Sequence, residues 1–510
     1  MNRAKWLHVL LLAALLPTFA ACAVRTQAPV ATVSEEEITS QLDGQRLWEL
    51  TRQLASAEFA GRRSGTEGGR LAAEFIRDRF REWGLQPAGD DGSYFQPFTF
   101  PLWQATPPVN LELVGGPSYT YGADYTLLSY SGSADLTAEV VFAGYGITIP
   151  PYDQGDYPSC AAPTSGYDDY AGLEVGGKIV LALRRGPRDD PNWHDVPCPI
   201  TVADSLGPWA AGYKSRNAHQ HGARGIIIVN NYRIEDELAS ITLTPSAFEM
   251  GIGAVFALRS IAEALVPDLA ARQESIDATL TPAGSATGRS ITMLINASFD
   301  PAARTENVLG AIPGTDPALR DEVAIVSAHY DHVGVDVTGQ IFHGADDDAS
   351  GTAAMMEIAR VFSSAGFAPK RTLLFVGWAA EEEGLIGSSY YVDNPLYPLD
   401  KTVAVLQLDT VGVGNRSGVD VFGGTALPEL FEVISANAAE QGVTARARRP
   451  SGASDHAPFF RADVPAVLIS TTGPHPHIHT PADTIDTIDP FELEQSARIA
   501  AATAYELAVR

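Results

Sequence analysis

The sequence predicts an α/β protein whose central β-sheet is covered by helices on both faces, which makes a three-layer sandwich. From residue 290 onwards, short continuous apolar segments alternate with longer segments in which apolar residues recur at helical spacing. Strands without a polar face are buried on both sides, as in sheets that have helices above and below. The polar motifs of the chain fall at the ends of these strands, where the active sites of such sheets lie.

The elements of this sandwich follow one another in the C-terminal half. Strands are predicted at 323–327, 372–377, 403–408 and 466–470, and helices at 351–363, 428–441 and 490–508. The last helix has Asp489 at its N-cap and Pro490 at its first position, and both residue types are favoured there. Nearer the N-terminus, helical spacing between Glu36 and Trp83 predicts further helices, which Gly84 ends.

The sequence pattern changes between about 136 and 266, and this segment predicts a second module that is rich in β-strands. Short buried strands such as 140–146 and 178–183 are separated by glycine turns, and one helix at 213–221 leads into a strand at 226–229. The length of 510 residues is also consistent with more than one domain. We therefore expect this module to be inserted into the sandwich.

The charge of the chain argues against two kinds of partner. The net charge is −27, from 35 basic and 62 acidic residues, and no basic cluster interrupts the acidic excess. Nucleic acids and anionic membrane surfaces are therefore unsuitable partners on electrostatic grounds. A hydrophobic content of 45% and a charged content of 19% are typical of an ordinary globular protein.

Residues 1–21 are interpreted as a secretory signal peptide. Two basic residues precede an apolar run at 7–16 that is too short to remain as a membrane span, and small residues lie before Cys22. The ending Phe-Ala-Ala-Cys also resembles a bacterial lipobox, in which the cysteine becomes the lipidated first residue. Residues 22–35 would then be a lipid-anchored or flexible linker, and the protein would be periplasmic or anchored to the outer membrane. The alternative is cleavage nearby and secretion.

The remaining cysteines support export. Besides Cys22, the chain has only Cys160 and Cys198. An even pair in a chain that is destined for an oxidising compartment favours a disulfide bond. Neither cysteine has a second cysteine or histidine beside it at ligand spacing, so we do not expect them to bind metal.

The residues that carry chemistry are imidazoles and carboxylates at the ends of predicted strands or at the start of a helix. Such groups, brought to one edge of a sheet, are what a hard-to-borderline divalent cation requires. The Asp347 carboxylate could bridge two ions, with one oxygen to each, and one of two adjacent glutamates could bind metal while the other faces a substrate water. The candidates, in chain order, are His329, Asp331, Asp347, Glu381, Glu382, Asp409 and His479.

Asp331 lies two residues after His329 and can accept the second ring N–H, which would fix the tautomer of a metal-bound histidine. Structural interpretations exist for single motifs. Residues 346–348 could be a charge cluster at a helix N-terminus, and residues 381–383 a solvated turn. The ordered set at five strand or helix ends favours a site.

Five motifs in order, SAHYDH, GADDDASG, AAEEEGLIGS, LQLD and HTPADT, resemble those of the co-catalytic di-zinc aminopeptidases. This superfamily also includes bacterial leucyl aminopeptidase, glutamate carboxypeptidase II, the inactive transferrin receptor and the glutaminyl cyclases. The resemblance implies a mixed, mostly parallel sheet, two zinc ions, peptide substrates and aminopeptidase activity. It divides the chain into a peptidase domain, 36–130 and 286–510, and an insert, 131–285. The strings GKIVL and GARGIIIVNN make the insert similar to a protease-associated domain, which implies that it covers or gates the active-site cleft.

Carried over by position, the resemblance implies that Asp347 bridges the two zinc ions. His329 and Asp409 would complete one zinc site, and Glu382 and His479 the other. Glu381 would be the general base, which takes a proton from the attacking water and delivers it to the leaving amine.

Some neighbours of these motifs need a separate interpretation. Asp455, in a Ser-Asp-His sequence that resembles a family loop near the site, is a candidate for supporting the ligands. Glu383 departs from the small or apolar residue expected after the glutamate pair. His477 is the alternative to His479, which is preferred for its HTPADT context. Four histidines are not expected to be ligands: His332, His343, His475 and His477.

Several other functions are less compatible with the sequence. A carboxypeptidase or dipeptidase of the same superfamily needs a basic clamp for the terminal carboxylate. Arg62 and Arg63 lie in a glycine-rich loop, and we interpret them as structural. A glutaminyl cyclase is expected to use one metal, and a receptor-like binding module is expected to lack ligands. The chain contains neither the Gly-x-Ser-x-Gly motif of serine hydrolases nor the His-Glu-x-x-His motif of other zinc proteases.

Overall fold

The computed structural model describes residues 33–190, 198, 210–238 and 251–510. The predicted signal peptide and most of the predicted linker lie outside the described residues. Of the helices in the described ranges, none has the length and apolar character needed to cross a membrane.

The four strands and three helices predicted in the C-terminal half are observed, each end within about two residues of its prediction, and further elements there were not predicted. The helices are α1 Glu35–Thr39, α2 Gly44–Leu54, α3 Glu67–Glu82, α4 Ala211–Gln220, α5 Arg259–Leu265, α6 Leu269–Thr279, α7 Gly351–Ser364, α8 Ile386–Asp393, α9 Pro428–Glu440, α10 His456–Arg461 and α11 Pro490–Val509. The strands are β1 Gln86–Pro87, β2 Phe95–Leu113, β3 Ser118–Tyr119, β4 Tyr125–Leu127, β5 Ala134–Phe142, β6 Thr148–Ile149, β7 Tyr167–Asp168, β8 Ile179–Leu183, β9 Gly225–Val229, β10 Gly253–Ala257, β11 Ser285–Ile312, β12 Val323–His329, β13 Thr372–Trp378, β14 Thr402–Leu408, β15 Gly418–Phe422, β16 Thr444–Arg448 and β17 Ala466–Thr471.

The C-terminal part of the sheet is mixed and mostly parallel, as predicted. Strands β13, β12, β14 and β17 are parallel neighbours, and β11 and β15 pair antiparallel at the two sides of this group. Alternate residues of β12 pack on opposite faces. Ala324 and Val326 join a core with α2, α3, α7 and α11, whereas Val323 and Ile325 join a core with α8 and α10. The sheet is therefore the middle layer of three.

In the insert, β5, β8, β9 and β10 are parallel neighbours that continue the same sheet, with β4 antiparallel at its edge. Strands β8 and β9 are fully buried, which agrees with their continuous apolar sequence. The predicted helix is observed as α4, and α5 and α6 are helices in addition to it. Cys160 and Cys198 form the predicted disulfide bond.

Two long strands connect the insert to the rest of the sheet. Strand β11 spans 28 residues and β2 spans 19, and they pair antiparallel along most of their length. One end of β11 pairs with β5 of the insert, and the other end pairs with β13. Because both strands run on from one part of the molecule into the other, the boundaries at 130 and 286 stay predictions.

Candidate metal centre

The fold brings three of the predicted motifs to one edge of the sheet. His329 ends β12 and is paired in register with Trp378, the last residue of β13. Asp409 directly follows β14, which is parallel to β12. The carboxyl ends of parallel strands meet at the same edge, so residues that are 80 positions apart become neighbours. Asp347 reaches this edge from the segment before α7.

The first group of donor atoms consists of His329, Asp347 and Asp409. His329 Nε2 lies 3.3 Å from Asp347 Oδ1 and 3.6 Å from Asp409 Oδ2. Two ligands that are each about 2.1 Å from one tetrahedral zinc ion are about 3.4 Å apart. The spacing of this group therefore fits zinc.

The second group shares Asp347 with the first and adds Glu382 and His479. His479 Nε2 lies 3.1 Å from Asp347 Oδ2 and 2.8 Å from Glu382 Oε2. Asp347 thus directs one carboxylate oxygen to each group, which is the geometry that a bridging ligand requires. The five predicted ligands come together as two sets, and their assignment as ligands stays a prediction.

His332 also belongs to the second group, although it was not predicted to be a ligand. Its Nδ1 lies 2.7 Å from Glu382 Oε1 and 3.7 Å from Asp347 Oδ2. The available signal was its position in the SAHYDH motif, three residues after His329. Spacing alone did not indicate that the chain turns this imidazole back toward Glu382.

The position of Asp331 differs from the prediction in one respect. His329 Nδ1 lies 3.2 Å from the backbone carbonyl oxygen of Asp331, whereas the nearest carboxylate oxygen, Oδ1, is 3.9 Å away. The carboxylate instead accepts a hydrogen bond from the backbone N–H of Glu381 at 3.1 Å. Asp331 therefore touches the histidine through its backbone and positions the glutamate segment through its side chain.

The Asp348 carboxylate connects three segments that carry candidate ligands. Its Oδ2 accepts the backbone N–H of His329 at 3.2 Å, and its Oδ1 accepts those of Gly351 at 2.8 Å and Thr410 at 3.3 Å. These N–H groups belong to the end of β12, the start of α7 and the residue after Asp409. One buried side chain thereby fixes their relative positions, and the peptide bond that precedes it is cis.

Asp483 performs a similar task from the HTPADT motif. Its two carboxylate oxygens accept the backbone N–H groups of Asp346 at 2.8 Å and Asp347 at 3.1 Å. The segment that carries Asp347 is therefore held by Asp483 on its N-terminal side and by Asp348 on its C-terminal side. This role of Asp483 was not predicted, because a carboxylate that binds backbone N–H groups has no characteristic spacing in a sequence.

The predicted supporting residue Asp455 is fully buried behind the site. It accepts hydrogen bonds from the Ser388 hydroxyl and, at 3.4 Å, from Gln407 Nε2. Gln407 lies in β14, two residues before Asp409. Asp455 thus contacts the strand that carries a candidate ligand, without joining either donor group.

Arg62 and Arg63 have structural roles in the described residues. The Arg62 guanidinium is fully buried and donates hydrogen bonds to backbone carbonyls, including those of Tyr330 at 2.8 Å and Gly344 at 2.8 Å. Arg63 lies 2.8 Å from Glu383 Oε1. The third glutamate of the run is therefore paired with an arginine and belongs to neither donor group.

Buried carboxyl groups make this edge of the sheet favourable for a cation. Burial raises the pKa of Asp331 to about 8 and that of Asp455 to about 7. Burial, together with the neighbouring charge of Glu382, also raises the pKa of Glu381 well above its usual range. For Asp347, burial opposes ionisation, but hydrogen bonds from His329 and His479 outweigh it and hold its pKa well below the usual range. A bound cation would favour the ionised form of every one of these groups.

Comparisons with known proteins relate two segments of the chain to known families. The model of peptidase family M28 matches residues 307–504, and the PA domain model matches residues 136–265. Aminopeptidase YwaD of Bacillus subtilis (strain 168) is 27% identical over 394 residues, which cover 76% of this chain and 71% of that protein.

Two solved structures share the fold over nearly the whole chain. An aminopeptidase from Aneurinibacillus sp. strain AM-1 has a TM-score of 0.66 and 23% identity, and the match covers 93% of this chain and 96% of the other. BSAP, a zinc aminopeptidase from Bacillus subtilis, has a TM-score of 0.64 and 22% identity, with 92% of this chain and 96% of the other covered.

Proposed function

We propose, from the premise that this chain belongs to peptidase family M28 and carries an inserted PA domain, that it is an exported zinc aminopeptidase with two co-catalytic ions. Membership makes it a metallo-exopeptidase that acts on peptides. The observation that carries the finer proposal is the pair of donor groups that share Asp347. Relatives in this family that are named as aminopeptidases support the same activity.

In this proposal five side chains hold two zinc ions. His329 and Asp409 serve one position, Glu382 and His479 serve the other, and Asp347 serves both. Bound zinc would lower the pKa of a water molecule, polarise the scissile carbonyl and stabilise developing negative charge. Backbone N–H groups before and after the Asp347 side chain donate to Asp483 and Asp348. These hydrogen bonds hold the ligand atoms in place for the metal ions.

Glu381 is the general base in this proposal. Glu381 is partly exposed, whereas the two glutamates that follow it, Glu382 and Glu383, are buried. Its backbone N–H donates to the Asp331 carboxylate, which holds this segment beside the donor groups, and its own carboxylate belongs to neither group. The Glu381 carboxylate would accept a proton from the attacking water and transfer it to the nitrogen of the leaving amine.

An aminopeptidase fits better than a carboxypeptidase or dipeptidase. Capture of a terminal carboxylate is best served by an arginine that offers two parallel N–H groups. Arg62 donates to backbone carbonyls, and Arg63 is paired with Glu383. Both arginines beside the motifs are therefore already engaged.

The test of this function combines metal content with hydrolysis of amino-acyl chromogenic amides, with free or N-acetylated amino groups. We expect two zinc ions per chain, cleavage of the free-amine substrates only, and loss of that cleavage after chelation. Metal without amide cleavage, together with hydrolysis of peptides from the carboxyl end, would favour the carboxypeptidase alternative. Absence of metal would contradict the proposal and favour a binding module.

Export and anchoring are part of the same proposal. The disulfide bond between Cys160 and Cys198 supports an oxidising compartment, because such bonds are rare in reducing cytosol. Cys22 would carry the lipid after removal of the signal peptide. In a bacterial host, the full chain should incorporate labelled palmitate and sediment with membranes. Cys22→Ser should abolish both effects, and incorporation that persists in this variant would contradict lipidation at Cys22.

A further inference from the structure

We propose that His332 is a positioning residue, which orients Glu382 toward the zinc position that it shares with His479 and Asp347. The inference rests on the proposed function and deepens it. His332 Nδ1 lies 2.7 Å from Glu382 Oε1, and the other oxygen of the same carboxylate lies 2.8 Å from His479 Nε2. One oxygen of Glu382 is therefore held from behind while the second faces the donor group.

The packing around His332 fixes this orientation. Its side chain is fully buried. A Cβ atom at Gly344 would lie 2.4 Å from His332 Cγ, so the chain that leads to Asp347 packs directly against the ring. Only glycine permits this approach, and Gly344 also has a positive φ of 56°. The imidazole thus packs between the segment that carries Asp347 and the segment that carries Glu382.

The distances favour a hydrogen bond over direct metal ligation by His332. The oxygens of an ionised carboxylate only accept, so His332 in the tautomer with hydrogen on Nδ1 donates to Glu382 Oε1 across the contact of 2.7 Å. His332 contacts Glu382 Oε1, whereas His479 Nε2, which lies 3.1 Å from Asp347 Oδ2, contacts the other oxygen, Oε2, at 2.8 Å. His332 Nδ1 is 3.7 Å from Asp347 Oδ2, beyond hydrogen-bond distance. His332 therefore acts on the metal position through Glu382.

This role has a defined physical consequence. A carboxylate with both oxygens unrestrained can rotate away from the donor group, whereas a hydrogen bond to one oxygen leaves the other preoriented. Outer partners of metal ligands of this kind contribute about 10–100-fold to metal affinity. We expect the contribution of His332 to affect one of the two zinc positions, since Glu382 belongs to the second group alone.

The test is the affinity of each zinc position, measured by competition with a chelator, in three variants. His332→Ala should lower the zinc affinity of one position by about 10–100-fold and leave the affinity of the other position unchanged. His332→Asn should recover most of this loss, because its amide nitrogen occupies nearly the same place as Nδ1 and can donate to Glu382. His343→Ala is the matched control, since His343 lies one residue before Gly344 and its ring contacts the carbonyl oxygen of Ala55. It should leave both affinities unchanged.

Cobalt substitution adds a readout that does not depend on turnover. The visible absorption of the site with the weaker ion should change in His332→Ala and return toward the unaltered spectrum in His332→Asn. Equal zinc affinity in His332→Ala and the unaltered protein would overturn the inference and leave the proposed function intact. Loss of one ion in both His332 variants would show direct ligation and also overturn it. An unaltered protein that binds no zinc would instead overturn the proposed function. Thermal denaturation of the metal-free variants separates these results from misfolding.

Discussion

Replacing Glu381 with glutamine is expected to lower kcat by about 10²–10⁴-fold, the range that general acid–base catalysis contributes. Glutamine keeps the shape of the side chain but cannot accept the proton of the attacking water. Zinc content should stay unchanged, because Glu381 belongs to neither donor group. The measurement is steady-state hydrolysis of a free-amine chromogenic amide, with metal analysis of the same sample.

Glu383→Gln is the matched control for this substitution. Glu383 is the neighbouring buried glutamate but is paired with Arg63, and glutamine retains an oxygen that can accept from that arginine. We expect its kcat to remain close to that of the unaltered enzyme. Turnover in Glu381→Gln within about tenfold of the unaltered value, or an equal loss in Glu383→Gln, would refute the assignment of the base.

Replacing Asp347 with alanine is expected to remove both zinc ions. Asp347 directs Oδ1 toward His329 and Oδ2 toward His479, so one substitution takes a ligand from each position. Loss of an outer partner alone costs about 10–100-fold in affinity, and loss of a direct ligand should cost more than about 100-fold at both positions. Metal analysis after dialysis against zinc-free buffer, with circular dichroism to confirm folding, measures the effect.

Asp409→Ala provides the comparison that isolates the bridge. Asp409 belongs to the first group only, so this variant should retain about one zinc ion per chain, where Asp347→Ala retains none. Retention of one ion by both variants would show that Asp347 serves a single position. Retention of two ions by Asp347→Ala would show that it is not a ligand.

Local patterns in the sequence were sufficient for most of the peptidase fold. Strands β12 to β14 and helix α7 lie within two residues of their predicted bounds, because burial on both faces and helical periodicity are properties of adjacent residues. The disulfide bond was also predictable, since the pair of cysteines had no alternative partner beyond Cys22.

The candidate ligands were predictable for a related reason. His329 ends β12, Asp409 follows β14 and Asp347 precedes α7, and parallel strands bring their carboxyl ends to one edge whatever the loops between them. His329, Asp347 and Asp409 meet in this way, although up to 80 residues separate them along the chain. For these three residues, residue type at the end of a strand or the start of a helix was sufficient to predict that they meet.

Only the tertiary structure decided which neighbouring side chains serve the ligands and which do not. Arg63 pairs with Glu383 across 320 positions, and His332 contacts Glu382 across 50. Such contacts depend on rotamers and on the approach of distant segments within a few ångströms, and neither quantity has a period or spacing in the sequence. The sequence by itself therefore determined the layers of the fold and the chemistry at its edge. The packing of the folded chain determined how that chemistry is oriented.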